Sequence, residues 1–427
     1  MTGPTANRVF FGWKVVATAF AVAVFSWGIG FYGPSVFLHV LHSQRGWPVS
    51  AISAAITAHY LFSAAIVIRL PELHRRFGVA SMTRAATGAT ALGLLGWALA
   101  GAPWQLFAAA ILTGAGFAAT SGAAIIAMVS PWFVQRRAVA LSHALNGASA
   151  AGILFTPLWV LLIDKTGFVV AAASVGVVMT ATIWPLTGRF LGPTPETKGV
   201  APDGEASSQS VRTQLLLREA KPLWALFRDC RFATISAGFA LGFFAQIGLV
   251  THLVERLAPV LGAAGAATAV SAAALCAVPG RLLLAGLLGS ADRRLAAAGN
   301  FAMQACGVAL LALTSGMPTL LIGCALFGLG IGNLVLLPPI IAQAEFEPAD
   351  VPRVVALVTA INQAVFAFAP FAFGVLHDLT GSYAVAFSAA AVFQLVAGAI
   401  VLAGRQMLNP FQTHIVRGSD TNPREPR

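Results

Sequence analysis

Apolar residues in this chain come in blocks of roughly twenty, and polar residues are crowded into the short gaps between the blocks. A block of that length matches a helix rising 1.5 Å per residue through the ~30 Å hydrocarbon core of a bilayer. The pattern predicts helices near 12–37, 49–70, 80–100, 104–128, 138–162 and 169–190, and again near 232–254, 267–290, 295–315, 318–343, 354–376 and 383–404. The runs are continuous rather than short alternations, which argues against a β-barrel. The first block lacks a small-residue cleavage site leading into a soluble domain, so it is read as a retained helix. The expected fold class is an all-α membrane protein with twelve transmembrane helices in two six-helix bundles.

The longest polar stretch, "GPTPETKGVAPDGEASSQSVRTQLLLREAKPLWALFRD", falls midway. It divides the chain into an N-terminal bundle (1–191), a cytoplasmic linker (192–231), a C-terminal bundle (232–408) and a tail (409–427). The second part of the linker is compatible with a short amphipathic helix placing Leu215, Leu216, Trp224 and Phe227 against lipid.

Composition agrees with the pattern: 58% of residues are hydrophobic and only 10% are charged, against about a quarter charged in soluble domains. All Lys and Arg except Arg45, Lys165, Arg256 and Arg281 fall on the side of the predicted termini. Basic loops stay cytoplasmic, so both termini are expected inside. Topology thereby accounts for the net charge of +11, and no nucleic-acid partner is implied. Cys230, Cys276, Cys306 and Cys324 show no CxxC spacing, so neither a disulfide framework nor a metal site is expected. No P-loop, nucleophile motif or ligand cluster appears, which argues against an enzyme, an ATP-driven pump or a bound cofactor.

The halves repeat at a nearly constant offset. "DKTGF" at Asp164–Phe168 returns as "DLTGSY" at Asp378–Tyr383; Gly114 and Gly116 return as Gly328 and Gly330; Asn146 returns as Asn362. Such repeats mark secondary transporters, which rock two bundles about a central site. The basic stretch "RLPELHRRFG" (69–78) likewise has a counterpart in "GLLGSADRRL" (286–295). Here the chain resembles the major facilitator superfamily, whose hallmark between helices 2 and 3, echoed between 8 and 9, is Gly-x-Leu-x-Asp-Arg-x-Gly. The second half matches it with Gly286, Asp292, Arg293 and Arg294. The first half keeps Leu73, Arg76, Phe77 and Gly78, with Pro71 for Gly and Arg75 for Asp. The resemblance implies a conformational latch, for which Glu72, Arg75, Arg76, Asp292 and Arg293 are the candidates.

"WFVQRRAVALSHALNGASAAG" (132–152) resembles a signature of monocarboxylate porters, carried by Trp132, Phe133, Arg136, Arg137, Ala140, Ala144 and Gly147. Ser142 and Gln135 depart from it, and the first signature survives only as Gly12 and Trp13. The resemblance implies a bacterial inner-membrane transporter, expected to be monomeric.

Arg281 carries the candidate chemistry. Eleven residues before Asp292, it lies ~16 Å deeper, near the midplane. There a charge costs at least ~2.5–3.5 kcal/mol unless compensated. No Asp or Glu lies deep in a predicted span, so a substrate carboxylate is one candidate counter-ion, since a planar guanidinium binds it bidentately. Backbone carbonyls, water or Glu255 at a span end are the structural alternative. The resemblance supports the first reading, because such anion porters place an arginine on helix 8. A related dicarboxylate-exchanger family adds a lysine on helix 11, where this chain has Asn362 and Gln363; a single central cation suits a monoanion. Asn146, Asn362, Gln363 and Tyr32 are candidate substrate contacts, although mid-span amides also simply join helices. His59 reads either as a proton-coupling imidazole or as a histidine hydrogen-bonded within the bundle. The expected function is therefore secondary active transport of a small organic monocarboxylate, with a proton as coupling partner, in the lipid bilayer. The rivals are an exporter of hydrophobic compounds, which would need a buried acid, an organic-anion exchanger, and a non-transporting sensor, which would need a soluble output domain.

Overall fold

The computed structural model describes residues 10–202, 223–288 and 292–406. Twelve helices account for nearly all of them: α1 (Phe11–Arg45), α2 (Val49–Phe77), α3 (Val79–Leu99), α4 (Gln105–Trp132), α5 (137–166), α6 (168–191), α7 (230–261), α8 (263–288), α9 (Arg293–Leu313), α10 (Met317–Glu345), α11 (Val351–Thr380) and α12 (Tyr383–Gln406). No strand occurs among the described residues. The predicted starts hold to within a few residues, but several helices run past the predicted ends. α1 continues from 37 to Arg45 and α7 from 254 to 261. Hydropathy reports where a helix leaves the apolar core, whereas the helix itself continues until a residue stops its backbone. For α1 that residue is Gly46, left-handed at φ 64° just before Pro48, a stop requiring no Cβ.

The repeat is visible in the turns and in the packing. Gly46 between α1 and α2 corresponds to Gly262 between α7 and α8, and Gly167 between α5 and α6 to Gly381 between α11 and α12; all four have positive φ. Gly114 of α4 lies so close to the His59 carbonyl of α2 that a Cβ would overlap it, and Gly328 of α10 stands in the same relation to Ala273 of α8. Gly116 is pressed on Thr90 of α3, as Gly330 is on Gln304 of α9. The matched glycines thus let the same three helices of each bundle pack closely, backbone to backbone at Gly114 and Gly328 and against a side chain at Gly330, the use that small residues find in lipid. Arg45 and Arg256 share a role as well. Arg45 donates to the Ala98 carbonyl at the end of α3 (2.7 Å), and Arg256 to the Leu311 and Thr314 carbonyls at the end of α9 (3.0 and 2.6 Å). Each satisfies orphan carbonyls at the negative end of a helix.

The start of α1 and the end of α12 lie on one face, here the terminal face, and the opposite one is the far face. One continuous apolar core joins the first bundle to the far half of the second. The terminal half of the second bundle has a separate core, built around Phe232, Phe239, Phe301 and Leu337. Consistently, α11 packs on α2 mainly through its far segment Ala369–Thr380 rather than through Val351–Phe366. The bundles are therefore joined at the far face and diverge toward the terminal face. A short helix, Leu223–Phe227, precedes α7 and buries Leu226 in the second core, while Trp224 and Phe227 are exposed. Leu215 and Leu216 lie outside the described residues.

If backbone contact at Gly328 holds α10 to α8, Gly328→Val should lower stability by about 1–3 kcal/mol. Gly299→Ala should be near neutral, since open space surrounds that position. Thermal unfolding of the two variants in detergent measures both effects.

Candidate functional site

Four helices are broken near mid-length, α4 at 119–121 and α11 at 367–368 besides the two that concern the site. α1 loses its regular backbone at Phe31–Tyr32 and restarts at Gly33–Pro34, where proline without an N–H fits the first turn. α10 is interrupted at Gly332. Arg281 of α8 lies against the second break, its guanidinium occupying the space that a Cβ on Gly332 would need. Across the bundle interface its Nη2 donates to Ser149 Oγ at 2.5 Å and its Nη1 to Asn146 Oδ1 at 3.5 Å, both on α5. Arg281 Nε is buried without a partner, and no Asp or Glu lies within ion-pairing distance among the described residues.

Tyr32, at the α1 break, completes the group from the first bundle. Its hydroxyl end covers Gly152 of α5, beside Ala274 of α8, and it lies within electrostatic reach of Arg281. Ser271 of α8 donates to the Gly152 carbonyl at 3.3 Å. The site thus draws on α1 and α5 from one bundle and α8 and α10 from the other. Asn146 is exposed even though it meets a residue of the opposite bundle, so the crevice between the bundles is open around it. Chemically, this is one fixed positive charge with neutral hydroxyl and amide groups around it.

The other expected residues lie elsewhere. Asn362 is buried in α11 with an unpartnered Oδ1, and Gln363 is half-buried; no hydrogen bond joins either to the Arg281 group. His59 of α2 is buried and donates from Nδ1 to Thr113 Oγ1 of α4 at 2.9 Å, since the Thr113 hydroxyl itself donates to carbonyls of its own helix. It holds α2 to α4. Asn333 does similar work, donating to Asn300 Oδ1 at 2.9 Å. Ser149 was missed from sequence, although Asn146 and Ser149 are three residues apart and so share a helix face. Serine in a small-residue helix otherwise reads as packing.

Asp292 Oδ1 caps α9, accepting from the Arg294 and Leu295 amides at 2.8 and 3.2 Å, while Oδ2 accepts from Arg405 of α12 at 2.9 Å. Arg294, 1% exposed, meets Glu345 at 2.6 and 2.8 Å and also donates to the Val401 carbonyl. These bonds stay inside the second bundle. Arg293, Glu72, Arg75 and Arg76 are exposed, and Arg76 lies over the Phe77 ring.

Residues 16–345 match the family model for the Major Facilitator Superfamily. The chain belongs to the major facilitator superfamily. Among solved structures of transporters, the nucleoside transporter NupG is similar over 93% of this chain and 100% of that one, at 13% identity and a TM-score of 0.70. A bacterial homologue of the human lysosomal transporter Spinster, solved inward-facing and occupied, is similar over 95% and 98%, at 14% identity and 0.70. A mutant of the peptide transporter POT in complex with sulfate is similar over 92% and 94%, at 14% identity and 0.68. A search of curated proteins finds no match. The protein is thus a multi-pass membrane transporter of this superfamily rather than an enzyme.

Removing one partner of the buried Arg294–Glu345 pair leaves the other charge uncompensated. Glu345→Leu alone should cost about 3–5 kcal/mol, and the double variant Arg294→Met/Glu345→Leu should recover part of that loss, as read from unfolding in detergent.

Proposed function

We propose that this superfamily member carries a small organic monocarboxylate by alternating access, in symport with a proton. The observation that carries the reading is the Arg281 guanidinium, which spans the two bundles on Ser149 and Asn146 with no carboxylate at hand among the described residues. A carboxylate entering from the crevice would accept from the guanidinium, with Tyr32 and Asn146 in reach of a neighbouring oxygen. One cation without a second favours a monoanion over a dianion. The likeness of residues 132–152 to the monocarboxylate porters supports the same substrate class.

In this reading the terminal face is cytoplasmic, which the Lys and Arg distribution supports, and the membrane is the bacterial inner membrane. The two bundles (1–191 and 232–408) move about the Arg281 level, joined by the cytoplasmic linker 192–231, and a monomer suffices. The far face is then the outer face, and the structure is open inward. Glu72, Arg75, Arg76, Asp292 and Arg293 would form the inner latch only when the cytoplasmic ends come together. His59 stays a candidate proton carrier, with its structural bond to Thr113 as the competing role.

Proteoliposomes supplied with labelled monocarboxylates, with and without an inward proton gradient, test the proposal. The parent should accumulate at least one acid faster with the gradient, and Arg281→Gln should lose uptake by roughly 100-fold. Undiminished transport by Arg281→Gln would sink the carboxylate role, and movement of a hydrophobic cation instead would make the protein an exporter.

A further inference from the structure

The far face is fastened in part by a contact between histidine and carboxylate. His39 of α1 donates from Nδ1 to Glu255 Oε2 of α7 at 2.6 Å, joining one bundle to the other. The side chains are 18% and 13% exposed, so water has access without flooding the contact. His42, one turn on, donates from Nδ1 to the Trp47 carbonyl at 2.8 Å. Its Nε2 is thereby left as the protonatable nitrogen, and it faces Glu255 Oε1 at 4.0 Å. One carboxylate thus stands before two imidazoles on successive turns of the opposite bundle.

The surrounding charges leave that carboxylate to the histidines. On α1 and α7, Arg45 and Arg256 are turned away onto the carbonyl ends of α3 and α9. On α7, His252 bonds the Tyr383 hydroxyl of α12 and the Pro370 carbonyl of α11. Tyr383 also lies within electrostatic reach of Glu255. On α11, the His377 ring meets the His42 ring edge-on at 6.3 Å between centroids and bonds Asp378 Oδ1 at 3.2 Å, and Asp378 Oδ2 accepts from the Ser50 amide at the start of α2 at 2.8 Å. Asp164 and Lys165 at the end of α5 are exposed.

We propose that His39, His42 and Glu255 form a proton-binding site whose occupation holds the outer face closed. With the imidazoles neutral, the bundles share a hydrogen bond to a carboxylate. A proton on His39 Nε2 makes that bond an ion pair, and a proton on His42 Nε2 adds a second attraction. Closing the face brings the imidazoles to Glu255, so closing binds protons and acid favours the closed form. The sign reverses only where the carboxylate itself becomes protonated. An imidazole changes charge near neutrality, so the site responds to the pH outside the membrane. This inference rests on the movement of two bundles and is independent of the substrate assigned above.

The test needs no substrate. Spin labels at Gln44 and Val260, in a background with the four cysteines replaced, report the separation of α1 from α7 at the outer face of the full chain in lipid. The parent should shift toward the separated population between about pH 5.5 and about pH 8, by roughly fivefold, the upper end of what turning a hydrogen bond to a carboxylate into a partly exposed ion pair adds. Glu255→Gln and His39→Gln/His42→Gln should each flatten the response, and Asp378→Asn should leave it in place. A flat response in the parent overturns the proposal whatever the variants do. So does a full response in either histidine or Glu255 variant, or its loss in Asp378→Asn alone. Because only a distance is read, failure of the monocarboxylate assay leaves this result standing, and the reverse also holds.

Discussion

A guanidinium cannot rest inside an apolar bundle unless something shares its charge, and the centre of this molecule is arranged around that requirement. Arg281 cannot find a carboxylate among the described residues, so neutral groups of the opposite bundle take its N–H donors. The bonds are available only because the chain there is thin. Gly332 has no side chain where the guanidinium lies, and Gly152 has none where Tyr32 lies. Both neighbouring breaks, at Phe31–Tyr32 and at Gly332, fall beside this charge, which is where irregular backbone is tolerated within a membrane protein. Position, breaks and small residues are one solution to one electrostatic problem.

The two halves share their packing and differ in their chemistry. Gly114 and Gly328, and Gly116 and Gly330, make matching contacts, because backbone approach depends on the absence of a side chain and survives divergence elsewhere. The charged clusters did not survive in step. The second bundle keeps Asp292 capping α9 and Arg294 sealed against Glu345, whereas the first presents Glu72, Arg75 and Arg76 to solvent. The position of His59 in the packing is taken by Ala273 in the second half, since Gly114 and Gly328 press on those two carbonyls. That is consistent with the imidazole being an addition to the frame rather than part of it.

The apolar blocks made the twelve spans legible because bilayer thickness constrains composition directly. The helix ends were not legible, since outside the hydrocarbon a helix continues on local backbone terms. His39 and Glu255 lie in those extensions, where each reads alone as an ordinary polar residue near a loop. Their spacing of 216 residues equals that of the turn glycines Gly46 and Gly262, a signal visible only once the repeat is traced through the turns. Arg281 and Asn146 stood out because charge and amide are costly at depth, while Ser149 carried no such mark. Asn362 and Gln363 met the same criterion as Asn146 and yet are not bonded to Arg281, because depth along a helix fixes neither its face nor its neighbour.

Within each bundle the helices are held by backbone approach and close packing, contacts that cannot part by a few ångströms without losing most of their dispersion energy. Between the bundles the joints include a different class of contact: one histidine–carboxylate bond, Asp378 on the Ser50 amide, Thr57 on the Phe371 amide and the Arg281 bonds. Each is a directional bond whose partners are readily hydrated when separated, so its net contribution is about 1–3 kcal/mol rather than the full strength of the contact. The apolar core continues across the far face as well, so opening that face must also wet apolar surface, and the polar joints set only the margin. A margin of that size is what a proton or a bound anion can overturn, whereas the glycine-packed interiors lie beyond the reach of either. Glycine approach also crosses the interface, where Gly374 of α11 meets Ser50 and Ser53 of α2, so the division between rigid body and moving joint follows from the balance of contact types rather than from one type alone.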